Sequence, residues 1–502
     1  MSVMCRRLCA VLLLIAGSLG GALSLKPAQV SNATNKASNA VVKAIVPAPI
    51  EQVTRVSCYY RWMHRRIGPQ QLRVLNRSPH GNSHQGQKYA ACTHIILAFA
   101  SVGDDFQVNL TEIGGIQGVA RFVREGRPTP TTRMMLSIGG GRNEANFAPM
   151  VADPVALNTF QVSLGRLIRD TGLDGIDFDW EFPNILQAGQ FARLLQQTRL
   201  TLNAVAESRY AAQRRRTAAK ADRDQTVGQM HSAVTTKANS IHGSGNKTDT
   251  ADVFRLPQAK QVAQKFQELD LSVAVPGSFT LTAGYKPDYL RDNCTFINVM
   301  TYDLILYEAW HPFATLHSAL YGQGGLFGLL TPFSTSYAME FWADLGIPNH
   351  MLLLGIPTYG VAYELDDASQ NQLFSSVKGY SAFGANVGFD LTCRIRASHP
   401  DHVHFSQLAR VPYVYDNKGN WITYDDERSV AEKATFAIQK GYGGVMIFSL
   451  NADDPWGLCA KMANDTKTDV KNDPCSERFP LTRIAARTLR EASLNIERSV
   501  RS

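Results

Sequence analysis

The stretch "LDGIDFDWEFP", Leu173 to Pro183, sets four carboxyl side chains, Asp174, Asp177, Asp179 and Glu181, among Ile176, Phe178 and Trp180. In an extended strand successive side chains point to opposite faces. Asp177, Asp179 and Glu181 therefore share one face, and Ile176, Phe178, Trp180 and Phe182 share the other. No Lys or Arg stands between the acids. Such a strand either turns its acidic face to water or gathers the acids for chemistry. Like charges side by side disfavour ionisation, a repulsion that a solvated face has no reason to accept. Carboxyls whose proton affinities are driven apart supply one acid and one base, so the spacing favours a catalytic row.

A row of this kind needs a rigid scaffold. Seven further short apolar runs recur along the chain: "RVSCYY" from Arg55, "HIILAFA" from His94, "RMMLSIG" from Arg133, "LDLSVAVP" from Leu269, "FINVMTYD" from Phe296, "MLLLGIP" from Met351 and "GGVMIFSL" from Gly443. With the acidic strand they make eight, separated by segments of helical length. Strands without polar alternation are buried on both faces, and eight of them with helical connections are what a closed α/β barrel, the (β/α)8 or TIM barrel, requires. A doubly wound open sheet is the alternative, but no G-x-G-x-x-G turn follows the first strand to support it. In the barrel, catalytic residues stand at the C-terminal ends of strands, which is where Glu181 lies, just before Pro183.

Composition bounds the remainder. The 502 residues, 44% of them hydrophobic, can bury one large core or two ordinary ones. Residues 1–24 read as a secretory leader: Arg6 and Arg7 precede "LCAVLLLIAGSLGGALS", which ends with Ala22 and Ser24 placed for cleavage. No other stretch approaches the ~20 apolar residues of a membrane-spanning helix, so a secreted, monomeric protein is expected, opening on a flexible segment over 25–52. Cys5 and Cys9 leave with the leader. Cys58, Cys92, Cys294, Cys393, Cys459 and Cys475 remain, with no C-x-x-C pair, which favours disulfides over zinc. Sequons at Asn32, Asn76, Asn109, Asn246, Asn293 and Asn464 are compatible with glycosylation.

The net charge of +8 is mostly peripheral, +4 from Arg209 to Asp224 and +3 from Glu477 to Ser502. Neither segment interleaves aromatics with its basic residues as a single-strand binding groove does, so nucleic acid is not an expected partner. Residues 206–252 have few large apolar side chains and are expected to form a disordered basic insertion. Residues 463–502 read as a solvated basic tail. Residues 362–424 exceed one helix and include "RVPYVYDNKGNWITYDD", a hairpin around Asn417-Lys418-Gly419. They read as a small α+β insertion domain between strands seven and eight, leaving 53–361 and 425–462 to the barrel.

The acidic stretch "DGIDFDWE" resembles the DxxDxDxE signature of glycoside hydrolase family 18, the chitinases and chitinase-like lectins. The likeness extends through "CYYRW", "CTHIILAFA", "LSIGG", "FINVMTYD", "LLLGIPTYG", "VPYVYDNKGNWITYDD" and "GGVMIFSLNADDPWG", in that order, from Val56 to about Cys459. The resemblance implies a barrel with this insertion domain, no metal or organic cofactor, and chitin or N-acetylglucosamine oligosaccharides as ligand. It implies Glu181 as general acid, Asp179 orienting the substrate acetamide, Asp177 sharing a proton with Asp179, and Tyr302 holding the acetamide oxygen unless it is simply a core tyrosine. The sugar's own acetamide would serve as nucleophile, the exception this family makes to the two-carboxylate scheme. Tyr59, Phe99, Met300, Asp303, Trp310, Tyr359 and Phe448 match cleft positions; Asp174 is either part of that substrate-binding set or a structural acceptor. The resemblance also implies disulfides Cys58–Cys92 and Cys393–Cys459, with Cys294 and Cys475 either paired or free.

Departures from the family pattern matter as much. Gly141 stands where a Trp usually follows "SIGG", Phe448 where a Trp usually floors the cleft, and Val361 where an Arg or His commonly follows "PTYG"; "LILYEAW" sets Trp310 a little later than the family's Trp. A phenyl ring covers less of a sugar face than an indole. A secreted, endo-acting chitinase is the first expectation, because Glu181 is present. A chitinase-like lectin with little turnover, or a hydrolase of another N-acetylglucosamine glycan, are the alternatives.

Overall fold

The computed structural model describes residues 54–62, 68–76, 91–141, 143–239, 268–323, 329–459 and 478–501. The expected leader, the segment 25–52, the stretch 240–252 and Cys475 lie outside them.

All eight apolar runs form strands: β1 (Arg55–Arg61), β2 (His94–Val102), β4 (Arg133–Gly139), β5 (Gly175–Asp179), β6 (Asp270–Pro276), β7 (Phe296–Met300), β8 (Leu352–Pro357) and β15 (Gly444–Phe448). The two-residue β3 (Val108–Asn109) pairs antiparallel with the end of β2. The eight pair parallel in sequence order, and β1 closes the ring against both β15 and β2, so the sheet is a barrel with no open edge. The alternation read from the acidic strand holds in three dimensions. Outside, Trp180 stacks on Phe147 at 5.1 Å and meets Phe191 edge-on at 5.7 Å, while Phe178 packs against Phe160 at 6.2 Å. Inside, Tyr59, Ile96, Ala98, Met135, Phe296, Leu353 and Met446 form a separate apolar cluster.

The insertion domain is a six-stranded sheet of β9 (Tyr359–Leu365), β10 (Val377–Tyr380), β11 (Asn386–Gly388), β12 (Val403–Ser406), β13 (Val411–Tyr415) and β14 (Asn420–Thr423), with the helix Phe389–Ser398. Strands β13 and β14 are the expected hairpin, and Gly419 supplies the positive φ of 84° its turn requires. Both disulfides implied by the resemblance are formed, Cys58–Cys92 and Cys393–Cys459. Cys294 is a buried free thiol whose pKa burial pushes up to about 12.

Two expectations are corrected. The segment from 206 is not irregular where it is described, because the helix Ala188–Asn239 runs through it. Its paucity of apolar residues rules out a buried face but not a helix, since Ala, Arg, Gln and Lys are strong helix formers. Likewise the C-terminal segment is not simply a solvated tail. Pro480–Arg501 is a helix that packs on the helix Glu427–Gln439, burying Leu481, Ile484, Ala485 and Leu489. These positions recur at helical spacing, which the net charge of the segment concealed.

A buried ion pair ties the rim to this outer layer. Lys433 Nζ lies 2.6 Å from Asp425 Oδ2 with both side chains fully buried, and the hydroxyls of Ser318 and Ser429 donate to the same carboxylate at 2.7 and 2.6 Å. Removing one partner of a fully buried pair strands the other charge, at about 3–5 kcal/mol. Lys433→Ala is therefore expected to lose that much stability in urea titrations; a loss under ~1 kcal/mol would show that the pair is hydrated.

Candidate active site

Burial grades the three acids along one face. Asp177 is fully buried, Asp179 is 3% exposed and Glu181, just past the end of β5, is only partly buried. Asp177 sits at the level of Ser137 and Ser272 on the neighbouring strands, because the parallel register pairs Ser137 with Asp177 and Asp177 with Ser272. Its Oδ2 accepts from Tyr59 Oη at 2.8 Å and Ser137 Oγ at 2.7 Å; its Oδ1 accepts from Ser272 Oγ at 2.6 Å and Asn298 Nδ2 at 3.3 Å. Burial raises its proton affinity and these four donors oppose the rise.

Asp179 has no such company. Its Oδ1 is buried without a hydrogen-bond partner among the described residues, and burial, then Glu181 and Asp177, push its pKa well above the usual carboxylate range. Glu181 is raised to about 7, by burial first and then by Glu144 and Asp303, against the pull of the Gly141 N–H that it accepts. Two adjacent carboxyls that both resist ionisation hold a proton between them near neutrality. One of them, Glu181, reaches the mouth.

The loop after β4 shapes the space over this pair. Gly140 N donates to Asp179 O at 2.7 Å, and Gly140 takes φ +81° with the Phe99 ring so near that an added Cβ would lie 2.8 Å from it. A Cβ on Gly141 would stand 3.2 Å from Glu181 Oε2. Opposite, Phe448 gathers four rings: Tyr59 at 5.6 Å, Tyr302 at 5.9 Å, Tyr359 at 6.3 Å and Phe99 at 6.4 Å. Met300 packs half-buried beside them. Among the described residues Tyr302 Oη meets only Met446 Sδ, at 3.8 Å, a weak acceptor. Asp303 lies near enough for its charge to raise the Glu181 proton affinity, and Tyr359 Oη donates to its Oδ2 at 2.7 Å.

The structure thus brings together Tyr59, Phe99, Asp177, Asp179, Glu181, Met300, Tyr302, Asp303, Tyr359 and Phe448. Trp310 stands apart on the following loop, 59% exposed, its ring 5.6 Å from His311. Asp174 does not belong to the site. It precedes β5, roughly 20 Å of strand away from Glu181, where its Oδ2 accepts from Met134 N at 2.8 Å and pairs with Arg127 at 2.8 Å. It is the structural acceptor of the two possibilities.

Sequence reasoning missed Ser137, Ser272 and Asn298, and also Glu144 and His317. The two serines could have been found as lone hydroxyls in otherwise apolar strands. Glu144 and His317 sit in loops with no period to read.

A sequence model described as "Glycosyl hydrolases family 18" matches residues 55–238 and 248–453. The chain is 26% identical to mouse chitotriosidase-1 over 366 residues, 72% of this chain and 67% of that one. It is also 26% identical to a probable endochitinase of Caenorhabditis elegans over 451 residues, 87% of this chain but 61% of the relative, so it spans about six- to seven-tenths of these proteins' lengths. Among solved structures, the Ostrinia furnacalis Group IV chitinase in complex with allosamidin superposes with a TM-score of 0.64 at 22% identity, covering 88% of this chain and 99% of that one. Human YKL-39, described as a pseudo-chitinase with retained chitooligosaccharide binding properties, superposes at 0.60 with 20% identity, covering 87% and 99%.

The raised Glu181 proton affinity has a stability signature. From pH 4.5 to about 7 the folded protein keeps a proton that the unfolded chain has released, so folding stability falls as pH rises through that window. Glu181→Gln removes this dependence. Its melting temperature is expected to match the parent near pH 4 and to exceed it at pH 8; a difference independent of pH would mean that the carboxyl titrates normally.

Proposed function

The chain belongs to glycosyl hydrolase family 18, and from that premise we propose that it is a secreted chitinase cleaving β-1,4 links between N-acetylglucosamine units with retention of configuration. The observation that carries this reading is the adjacency of Glu181, protonated to about pH 7 at the mouth, and Asp179, whose Oδ1 is buried and unpartnered.

In this reading Glu181 gives its proton to the leaving glycosidic oxygen while the substrate's acetamide oxygen attacks the anomeric carbon from the opposite face, forming an oxazolinium ion. With the shared proton on Glu181, Asp179 stands as the carboxylate: its Oδ1 accepts the acetamide N–H, and its negative charge balances the positive charge that develops there. Asp177, held by four donors, fixes Asp179 in place through the strand. Tyr302 Oη, held only by a thioether among the described residues, turns to the acetamide oxygen. Water then attacks the anomeric carbon from the vacated side, giving its proton back to Glu181. The floor is Phe448 within its collar of rings, a smaller stacking surface than the family's usual Trp.

That floor and Gly141 favour the second reading, a lectin that binds oligosaccharide with little turnover. Both readings predict binding; only the first predicts products. On chitotetraose, the parent is expected to release β-anomeric products, with kcat/KM falling as pH rises through about 7. Glu181→Gln is expected to lose about 10²–10⁴-fold in kcat with oligosaccharide affinity within a few fold. Binding without turnover in the parent would select the lectin, and equal rates in parent and variant would remove Glu181 from the chemistry.

A further inference from the structure

Asp303 is held in a conformation that an unassisted aspartate rarely adopts. Its φ is +53°, in the left-handed region that a non-glycine residue populates sparsely, and a backbone outlier beside a catalytic row is where a functional restraint is to be sought. Three contacts impose it. Tyr359 Oη donates to Oδ2 at 2.7 Å, His317 Nδ1 lies 3.0 Å from Oδ1, and Leu304 N donates to the His317 carbonyl at 3.0 Å. The imidazole thus bridges the side chain, and its own backbone bridges the main chain, of the same turn.

The His317 ring makes its polar contact through one nitrogen, Nδ1. Its side chain is fully buried, and its Nε2 has no partner among the described residues. The carboxylate beside Nδ1 can only accept, so the proton of that contact stands on Nδ1 and the ring donates to Asp303. His317 acts as a directional donor. The donor is itself anchored: the next residue, Ser318, donates to Asp425, which pairs with Lys433.

We propose that His317 is a positioning residue that, through one Nδ1–H hydrogen bond, aims the half-exposed Asp303 carboxylate at Glu181 and at the sugar hydroxyls of the bound chain. This rests on the reading of the cleft as an N-acetylglucosamine glycan site. It extends that reading to a residue that touches no substrate.

The test uses three variants of the full chain. His317→Leu fills the space and removes the donor; His317→Asn places an amide N–H close to where Nδ1–H stood; Tyr359→Phe removes the other clamp. Thermal melts first establish which variants fold. Chitotetraose affinity is then read by calorimetry, and kcat and KM by product release. His317→Leu is expected to weaken affinity about tenfold and to lower kcat further, His317→Asn to recover most of both, and Tyr359→Phe to resemble His317→Leu. In 15N spectra, Asp303→Asn is expected to shift the His317 Nδ1 resonance. A folded His317→Leu with parental affinity and kinetics overturns the proposal, as does an Asn variant no better than Leu. If His317→Leu does not fold, the Asn and Phe variants and the imidazole spectrum decide in its place. Should the parent bind oligosaccharide without cleaving it, the hydrolase reading fails while affinity and spectrum still judge His317.

Discussion

The cleft is built up from one carboxyl that has no exposure to solvent. Asp177 lies at the centre of the barrel with both oxygens occupied by donors from four strands: Tyr59 on β1, Ser137 on β4, Ser272 on β6 and Asn298 on β7. A carboxyl buried in an apolar barrel without those donors would be strongly destabilising. With them, it cross-links the interior at one level, and the register of four strands becomes a condition of its satisfaction. Because the side chains of one strand face are fixed relative to one another, pinning Asp177 also pins Asp179 and Glu181 above it.

The rim follows from the same rule applied outward. Along the strand the polar restraint is heavy on the deepest acid and slight on the two above it: four donors on Asp177, none for Asp179 Oδ1 among the described residues, a single backbone N–H on Glu181. Donors satisfy the deepest acid; their scarcity leaves the upper two holding a proton. Around these acids the loops add what strands cannot, the Gly139–Gly141 turn under Glu181 and the His317 turn behind Asp303. The buried Lys433–Asp425 pair connects that second turn to the outer helical layer.

How far this was legible depended on whether a residue sat in a periodic element. Eight continuous apolar runs gave eight parallel strands because such strands are covered on both faces, and the alternation of acids gave the inward row of Asp177, Asp179 and Glu181. The same alternation separates Asp174, at even spacing from the outward-facing Ile176, from the inward acids, and applied strictly it would have excluded Asp174 from the cleft. His317 could not be read at all, since its partner lies fourteen residues back across an irregular turn. The segment 206–239 was misjudged for a different reason. Poverty in apolar side chains speaks to burial, whereas helix formation by Ala, Arg and Gln is a local backbone preference.

The bridge between Cys58 and Cys92 joins β1 to the residue pair that precedes β2, at the seam where the ring of strands is closed, across 34 residues of chain. In the chain-entropy account a covalent link over a loop of that length withdraws about 4 kcal/mol of disorder from the unfolded state. The excursion is anchored again where it is described, by Leu72 and Leu75 buried in the core and by Arg483 Nη2 donating to the Val74 carbonyl at 2.7 Å. Staple and anchor together hold the two neighbouring strands in one register, so sequence change between the cysteines is tolerated only where it spares that buried turn.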